Sequence, residues 1–303
     1  MNKILTFGEP LLINYLSESK LVSSCESYFS LGGSEINTSV ALSKLGNEVY
    51  LVSIFPNNDL GNEFIDVLNS KKINVKYVIK SDDNLIGSMY VKNNKVTYQR
   101  QHSSFYNCKD VNLESIFKIK YNWVHLTGIT PSLNDKCKTE WLNILNKSIF
   151  LNIPVSIDLN YRPTLCELPY LWNIVKPYVN KLNLFVLSKN DLKDLCILEN
   201  INVNKNIEDL MLYFCKKFEV KRLVICIKNV LLNKSQDRYS LMVCNNQLYK
   251  SSLKNHTPIE HIGGGDAYIG SLIDGILKWK ANILDDADNF TIEFQNYKGN
   301  FCK

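Results

Sequence analysis

The chain has 303 residues, 45% apolar and 21% charged, a balance that excludes a disordered tail protein, a coiled coil or a collagen-like repeat and allows a large core. Its formal charge of +5 is spread without a Lys/Arg block, which is too diffuse for a nucleic-acid footprint and leaves small-molecule chemistry as the favoured class. Nine cysteines occur without a CxxC pair or a Cys/His spacing suited to zinc, so neither a disulfide framework nor a metal cage is signalled.

Lys3–Phe7 reads as a first strand. The Gly8-Glu9-Pro10 break that follows interrupts the apolar start before it can serve as a signal-peptide core. No run reaches the ~18 apolar residues of a membrane-spanning helix, so no membrane partner is expected and the cytoplasm is the expected location. Ile36, Val40 and Leu45 mark the apolar face of a helix over Asn37–Leu45 that Gly46 ends. The alternation continues with a strand at Val49–Ser53, a helix at Gly61–Ser70 and a strand at Val75–Ile79. Further strands follow at Trp123–Thr127, Val155–Leu159, Leu184–Leu187 and Arg222–Ile227, with helical stretches between them. Strands alternating with helices imply a parallel sheet covered on both faces, an α/β fold. Pro10–Leu31 and Gly87–Arg100 break that rhythm as short strands, the second with a hairpin around Asn93-Asn94. They form a small β flap, or lid, whose exposed side needs a partner or a cover.

Near the C-terminus, Ile262-Gly263-Gly264-Gly265-Asp266 opens a helix whose apolar stripe is Ile269, Leu272, Ile273 and Ile276. Consecutive glycines let backbone N–H groups approach a ligand, and with the helix dipole they favour an anion such as phosphate. Asp266 at that lip has two readings: a general base for a substrate hydroxyl, or a first-turn acid of the ordinary capping kind. A carboxylate at a helix start is expected to keep a low pKa, which makes a weak base. No Lys-Ser/Thr follows the glycines, so this is not a P-loop. Tyr268 stands where a dinucleotide-binding turn needs Gly or Ala.

These residues resemble one signature of the ribokinase-like (PfkB) carbohydrate kinases, usually Gly-Ala-Gly-Asp and Gly-Gly-Gly-Asp in one subgroup. Leu31-Gly32-Gly33-Ser34-Glu35-Ile36-Asn37 through Gly46 resembles the family's other signature, a Gly-Gly turn leading into a helix. Tyr98-Gln99-Arg100-Gln101-His102-Ser103-Ser104, Leu126-Thr127-Gly128-Ile129-Thr130-Pro131 and Asp158-Leu159-Asn160-Tyr161-Arg162-Pro163 are similar to the sugar-acid kinases of that family, in particular those acting on 2-dehydro-3-deoxygluconate. The resemblance implies one ribokinase-like three-layer α/β/α domain over residues 1–303, with a β lid from about 10–33 and 85–103. It implies ATP-dependent phosphorylation of a sugar-acid hydroxyl with Mg²⁺, and a homodimer formed through the lid.

The chain's habit is Lys: only Arg100, Arg162, Arg222 and Arg238 are arginines among 35 basic residues. An arginine in such a chain hints at bidentate binding of a carboxylate or phosphate. By resemblance, Gly33 and Tyr98 contact the sugar acid, Arg100 reaches its carboxylate and Arg162 also contacts substrate. Asp266 acts as base, with Gly263, Gly264 and Gly265 holding the transferring charge. Asn160, Lys228 and Ser235 face the nucleotide, and His102 is a lesser substrate candidate.

Three departures from the family stand out. Ser188-Lys189-Asn190-Asp191 replaces an Asn-x-x-Glu element that organises magnesium, leaving Asp191 as an indirect metal residue. The stretch Ile227–Tyr239 lacks the glycine of many phosphate loops. The stretch after Ala281 lacks the usual Ala-rich helix. A neutral-sugar kinase of the fructokinase kind and a non-catalytic sugar-acid-binding protein are therefore the alternatives. Glu260 is the candidate for a monovalent-ion contact.

Overall fold

The computed structural model describes residues 1–16, 27–83, 85–92 and 95–296. In chain order the first half contains β1 (Lys3–Phe7), β2 (Leu11–Leu16), β3 (Ser27–Gly32), α1 (Ser34–Lys44), β4 (Glu48–Pro56), α2 (Asp59–Ser70), β5 (Ile73–Ser81), β6 (Gly87–Lys92), β7 (Lys95–Gln99), α3 (Leu113–Ile116), β8 (Trp123–Thr127), α4 (Ile129–Leu133) and α5 (Asp135–Phe150). The second half adds β9 (Val155–Asp158), α6 (Leu168–Val175), β10 (Leu184–Leu187), α7 (Lys189–Leu198), α8 (Ile207–Phe218), β11 (Arg222–Val230), β12 (Gln236–Cys244), β13 (Gln247–Lys250), β14 (Lys254–His256), α9 (Gly264–Leu277) and α10 (Ile283–Gln295).

The large sheet runs β13-β12-β11-β10-β9-β8-β1-β4-β5, with β14 also on β12. From β11 through to β5 every pairing is parallel, and only β12, β13 and β14 join antiparallel. Two-sided burial explains why the central strands read as continuous apolar runs. On β1, Ile4 packs on the α9 side with Leu272 and Ile273, while Leu5 and Phe7 face the side of Trp141, Trp172 and Phe214 from α5, α6 and α8. Helices thus cover both faces, the ribokinase-like arrangement.

A second sheet, β3-β2-β6-β7, stands apart from the first. Its β2–β6 pairing is parallel and the two outer pairings are antiparallel. The Asn93-Asn94 turn, residues 17–26 of the expected lid, and Tyr297 and Phe301 of the C-terminal stretch lie outside the described residues. Among the described residues no helix is long and apolar enough to cross a membrane, and the described cysteines are all free thiols.

Because β1, β8, β9 and β10 run the same way, their C-terminal ends open on one edge, the position where open α/β sheets hold ligands. Glu9, Thr127, Asp158 and Ser188 leave the sheet there. Gly33 (φ 120°) caps α1, so that helix starts at Ser34, three residues ahead of the expected boundary. The first turn carries Ser34, Glu35 and Asn37, polar residues that an apolar period does not register.

Candidate active site

Gly263 adopts a left-handed backbone (φ 77°) and caps α9 without any side-chain bond. The two glycines after it differ. A Cβ on Gly264 would meet Gln295 Nε2 at 2.6 Å, whereas one on Gly265 would meet nothing within 4 Å. The start of α9 thus has open space beside Gly265, at the helix end whose amides and dipole favour an anion.

Asp266 is the third residue of α9, and its side chain turns away from its own helix start. Ser34 Oγ donates to Oδ1 at 2.6 Å and Asn37 Nδ2 donates to Oδ2 at 2.6 Å. Asn160, at φ 42°, donates from Nδ2 to Ser34 Oγ at 3.1 Å, completing a chain from the end of β9 through α1 to α9. Asp266 does sit in the first turn of α9, with Gly263 rather than Asp266 at the N-cap, and its two oxygens accept from α1. The low pKa expected from the helix start is corrected. Burial raises the carboxyl above its ordinary value, against the opposing pull of the Ser34 and Asn37 bonds and of the Arg162 and Lys228 charges. A helix end is worth ~0.3–1 kcal/mol, and here desolvation outweighs it.

Glu35, the residue after Ser34, is buried beneath the site. Its Oε1 accepts from Thr127 Oγ1 at 2.6 Å, Thr127 N at 3.2 Å and Thr130 Oγ1 at 3.2 Å, pinning α1 to the end of β8. Burial is the main reason its pKa rises to about 7.

Asp158 ends β9 with its Oδ1 accepting from Asn160 N at 3.2 Å. Burial first, then the charges of Asp266 and Asp191, hold it well above the usual carboxylate range, with Arg162 opposing. Asp191 forms a reciprocal capping box with Ser188, giving α7 a tight start. Its pKa is raised chiefly by burial, and the Ser188 bonds and Arg162 lower it. Arg162 itself is exposed. Three acids from three elements thus share one electrostatic neighbourhood with Arg162, although among the described residues no three His, Cys, Asp or Glu side chains are arranged to hold a metal by themselves.

The remaining predicted residues are more dispersed. Arg100 is buried and sits 3.1 Å from Glu9, through Nη1 and Oε2, with the Tyr98 ring 4.4 Å from its guanidinium carbon. Glu9 in turn has a pKa raised to about 7 by burial, partly offset by Arg100. A Cβ on Gly33 would collide with the Glu9 carbonyl, which is why that position is glycine and how this pair adjoins Ser34. Lys228 is exposed on β11. Ser235 is buried, donating to Asn233 Oδ1 at 2.7 Å and receiving Asn255 Nδ2 at 3.3 Å. The glycine-free loop is the turn of the β11–β12 hairpin, closed by Leu231 N to Ser235 O at 2.8 Å. His102 is exposed at φ 64°. Glu260 is committed to Tyr15 Oη at 2.8 Å and Ile262 N at 2.9 Å, a tie between the small sheet and the glycine turn.

The C-terminal stretch packs against the start of α9, though without an Ala-rich pattern. Helix α10 packs Phe294 with Ala41 and Ala267, and the Gln295 carbonyl accepts from Ile259 and Glu260 N, each at 3.0 Å. Sequence reasoning had assigned no role to Glu9, Ser34, Asn37 or Asp158. Ser34, Asn37 and Asp158 lie inside the matched motifs, as short polar residues at a strand end or in a helix's first turn, whereas Glu9 lies outside them, in the Gly8-Glu9-Pro10 break after β1.

The pfkB family carbohydrate kinase model matches residues 3–287. The chain belongs to that family. It is a carbohydrate kinase. The 2-dehydro-3-deoxygluconokinase of Bacillus subtilis (strain 168) is 26% identical over 167 residues, 53% of this chain and 52% of the relative, so the match spans about half of that protein. The crystal structure of 2-dehydro-3-deoxygluconokinase from Thermotoga maritima superposes with a TM-score of 0.90 at 23% identity, covering 99% of this chain and 94% of the other. An uncharacterized sugar kinase from Pyrococcus horikoshii in complex with ATP has a TM-score of 0.76 at 17% identity, covering 98% and 94%. These likenesses establish the fold.

Proposed function

We propose that this kinase transfers the terminal phosphoryl group of ATP to a hydroxyl of a sugar acid of the 2-dehydro-3-deoxygluconate class. The observation that carries the reading is the grip of Ser34 and Asn37 on both oxygens of Asp266 beside the open glycine turn. Asp266 accepts or orients the proton of the attacking hydroxyl. The first amides of α9 face the charge on the transferring group, with Arg162 and Lys228 as the nearby cations. A loose phosphoryl-transfer transition state depends mainly on alignment and electrostatics, so a fixed carboxylate with a raised pKa suits the task.

Magnesium fits the donor set: it takes one or two protein carboxylates and completes its shell with water and phosphate oxygens. Asp158 and Asp191 are the residues that would hold it, and a divalent charge there would neutralise phosphate oxygens and relieve the crowding of acids around Asp158.

Use of ATP is supported by family membership and by the ATP complex of a structural neighbour. The sugar-acid class is supported by the relatives' names and by an arginine, Arg100, at the junction with the small sheet. A neutral sugar is the second reading, favoured by one observation: Glu9, 3.1 Å away, already opposes the Arg100 charge. A coupled ADP-release assay over a panel of sugar acids and neutral hexoses decides between them. Turnover confined to neutral hexoses rejects the acid reading. The small sheet's exposed Tyr28 (71%), Phe29 (59%) and Val96 (42%) support its role as a lid and as a homodimer contact. Light scattering at micromolar concentration tests that assembly.

A further inference from the structure

Glu9 and Arg100 occupy the two crossings between the sheets, one leading from β1 into β2 and the other leaving β7. Both side chains are more than nine-tenths buried, at 3% and 7% exposure, with 3.1 Å between Oε2 and Nη1. Yet no hydrogen bond joins them. Glu9 Oε1 and Oε2 and Arg100 Nε and Nη1 are all without a hydrogen-bond partner. Four unfilled polar atoms on two buried, opposite charges are costly, and they mark a place where a polar ligand completes the set. Glycine makes room for the Glu9 carboxylate itself: a Cβ on Gly87 would meet Glu9 Oε1 at 2.9 Å. The pair also adjoins the catalytic helix start, because the Glu9 carbonyl lies against Gly33, next to Ser34.

A substrate carboxylate arriving at Arg100 meets the Glu9 carboxylate as well. The guanidinium stays charged at any accessible pH, so with Glu9 ionised the pair is neutral and a third charge, a buried anion, is unopposed. Resting on the sugar-acid reading above, we propose that Glu9 is a specificity-determining residue that takes a proton from solvent before Arg100 accepts an acid, making acid binding proton-coupled. The bookkeeping closes: one proton adds to the Glu9 carboxylate, the pair gains one positive charge, and the substrate carboxylate cancels it. The new O–H then serves as a donor to the substrate. A neutral sugar needs no such step.

The other titratable groups around Glu9 fit this assignment. Tyr98 of β7 stacks on Arg100. Cys137 of α5 is held far above its usual range, first by its bond with Cys108, then by burial and by nearby charges including Glu9, so it stays a neutral thiol. Glu35 of α1 lies across Gly8 and is bonded to Thr127 and Thr130. Glu9 itself titrates at about 7 when unliganded, raised by burial, which puts the switch in a measurable range.

The test is calorimetric titration of the full chain, without nucleotide, with 2-dehydro-3-deoxygluconate and separately with fructose, between about pH 6 and pH 9. Two buffers of different ionisation heat report proton uptake. Expected for the acid are about one proton taken up per molecule bound at about pH 8, and an affinity that falls about tenfold per pH unit above about 7. Fructose, if bound, shows neither. Glu9→Gln, checked for folding by thermal unfolding, is expected to bind the acid with no pH slope and no uptake. Wild-type protein that binds the acid with a flat pH profile and no proton uptake overturns the proposal, whatever the variant does. So does Glu9→Gln protein that keeps the wild-type slope. Binding of fructose with no binding of the acid instead overturns the sugar-acid reading, and this proposal with it.

Discussion

Ser34 Oγ donates to Asp266 Oδ1 at 2.6 Å across 232 positions of sequence, joining the start of α1 to the start of α9. The bond lowers the pKa of a carboxyl that burial raises, so it both aims the carboxylate and opposes the effect of burial. Ser34→Ala is expected to reduce kcat about 10- to 100-fold with sugar binding changed less than about threefold, and to move the acidic limb of the pH–rate profile upward. Ser34→Thr, which restores the hydroxyl, should recover most of the rate. Steady-state kinetics with a pH series checks this. A loss confined to KM would mean that Ser34 serves the substrate and not Asp266.

The glycine turn makes a sharper distinction. A methyl at residue 265 enters open space, while one at 264 meets the end of the Gln295 side chain. Gly265→Ala should therefore leave the melting temperature within about 1 °C, because no protein atom is displaced, yet cut kcat/KM for ATP at least tenfold by filling the anion's place. Gly264→Ala should show the larger stability loss. Thermal unfolding and ATP kinetics on both variants test the pair.

Glu35 makes stability depend on pH. Its carboxyl titrates near 4.5 when free and about 7 in the folded chain, so the folded state holds the extra proton between those values. The associated stability is complete below about 4.5 and is lost as pH rises through about 7, a swing on the order of 3 kcal/mol. Glu9, also raised to about 7, acts in the same direction. The melting temperature is thus expected to fall by several degrees from about pH 5 to about pH 8, and Glu35→Gln, which keeps the acceptor for Thr127, should remove part of that fall. An unchanged fall in the variant contradicts the assignment.

Arg238 and Asp288 are both fully buried and joined at 2.8 Å, with Ser240 and Ser251 also donating to Asp288. Removing one partner leaves an uncompensated charge, so Asp288→Ala should cost roughly 3–5 kcal/mol in urea unfolding. This network ties β12 to α10, the helix whose end touches the glycine turn.

Much of this architecture was legible in the residues because burial on two faces forces apolar runs onto β1, β8, β9 and β10, and glycine punctuation marks both helix starts. Boundaries were less legible: polar Ser34–Asn37 begin α1 for reasons of chemistry, not packing. The scarcity of arginine was informative in an unexpected way. Arg100 and Arg238 do lie against carboxylates, but these belong to Glu9 and Asp288 of the chain itself, and no local pattern announces a partner 91 or 50 positions away. Ser188 and Asp191 keep a helix-capping function that the family's amide and longer acid would fill differently. Helix-end electrostatics are readable in sequence, whereas the desolvation that raises the Asp266 pKa is a property of the assembled site.

The most direct test of the catalytic assignment is Asp266→Asn, assayed for ADP release and, on the same preparation, for sugar-acid binding by calorimetry. Asn keeps the shape and one acceptor but cannot take the hydroxyl proton. Turnover should fall at least a thousandfold while the dissociation constant stays within about threefold. Turnover within tenfold of wild type, with binding intact, would contradict the role given to Asp266.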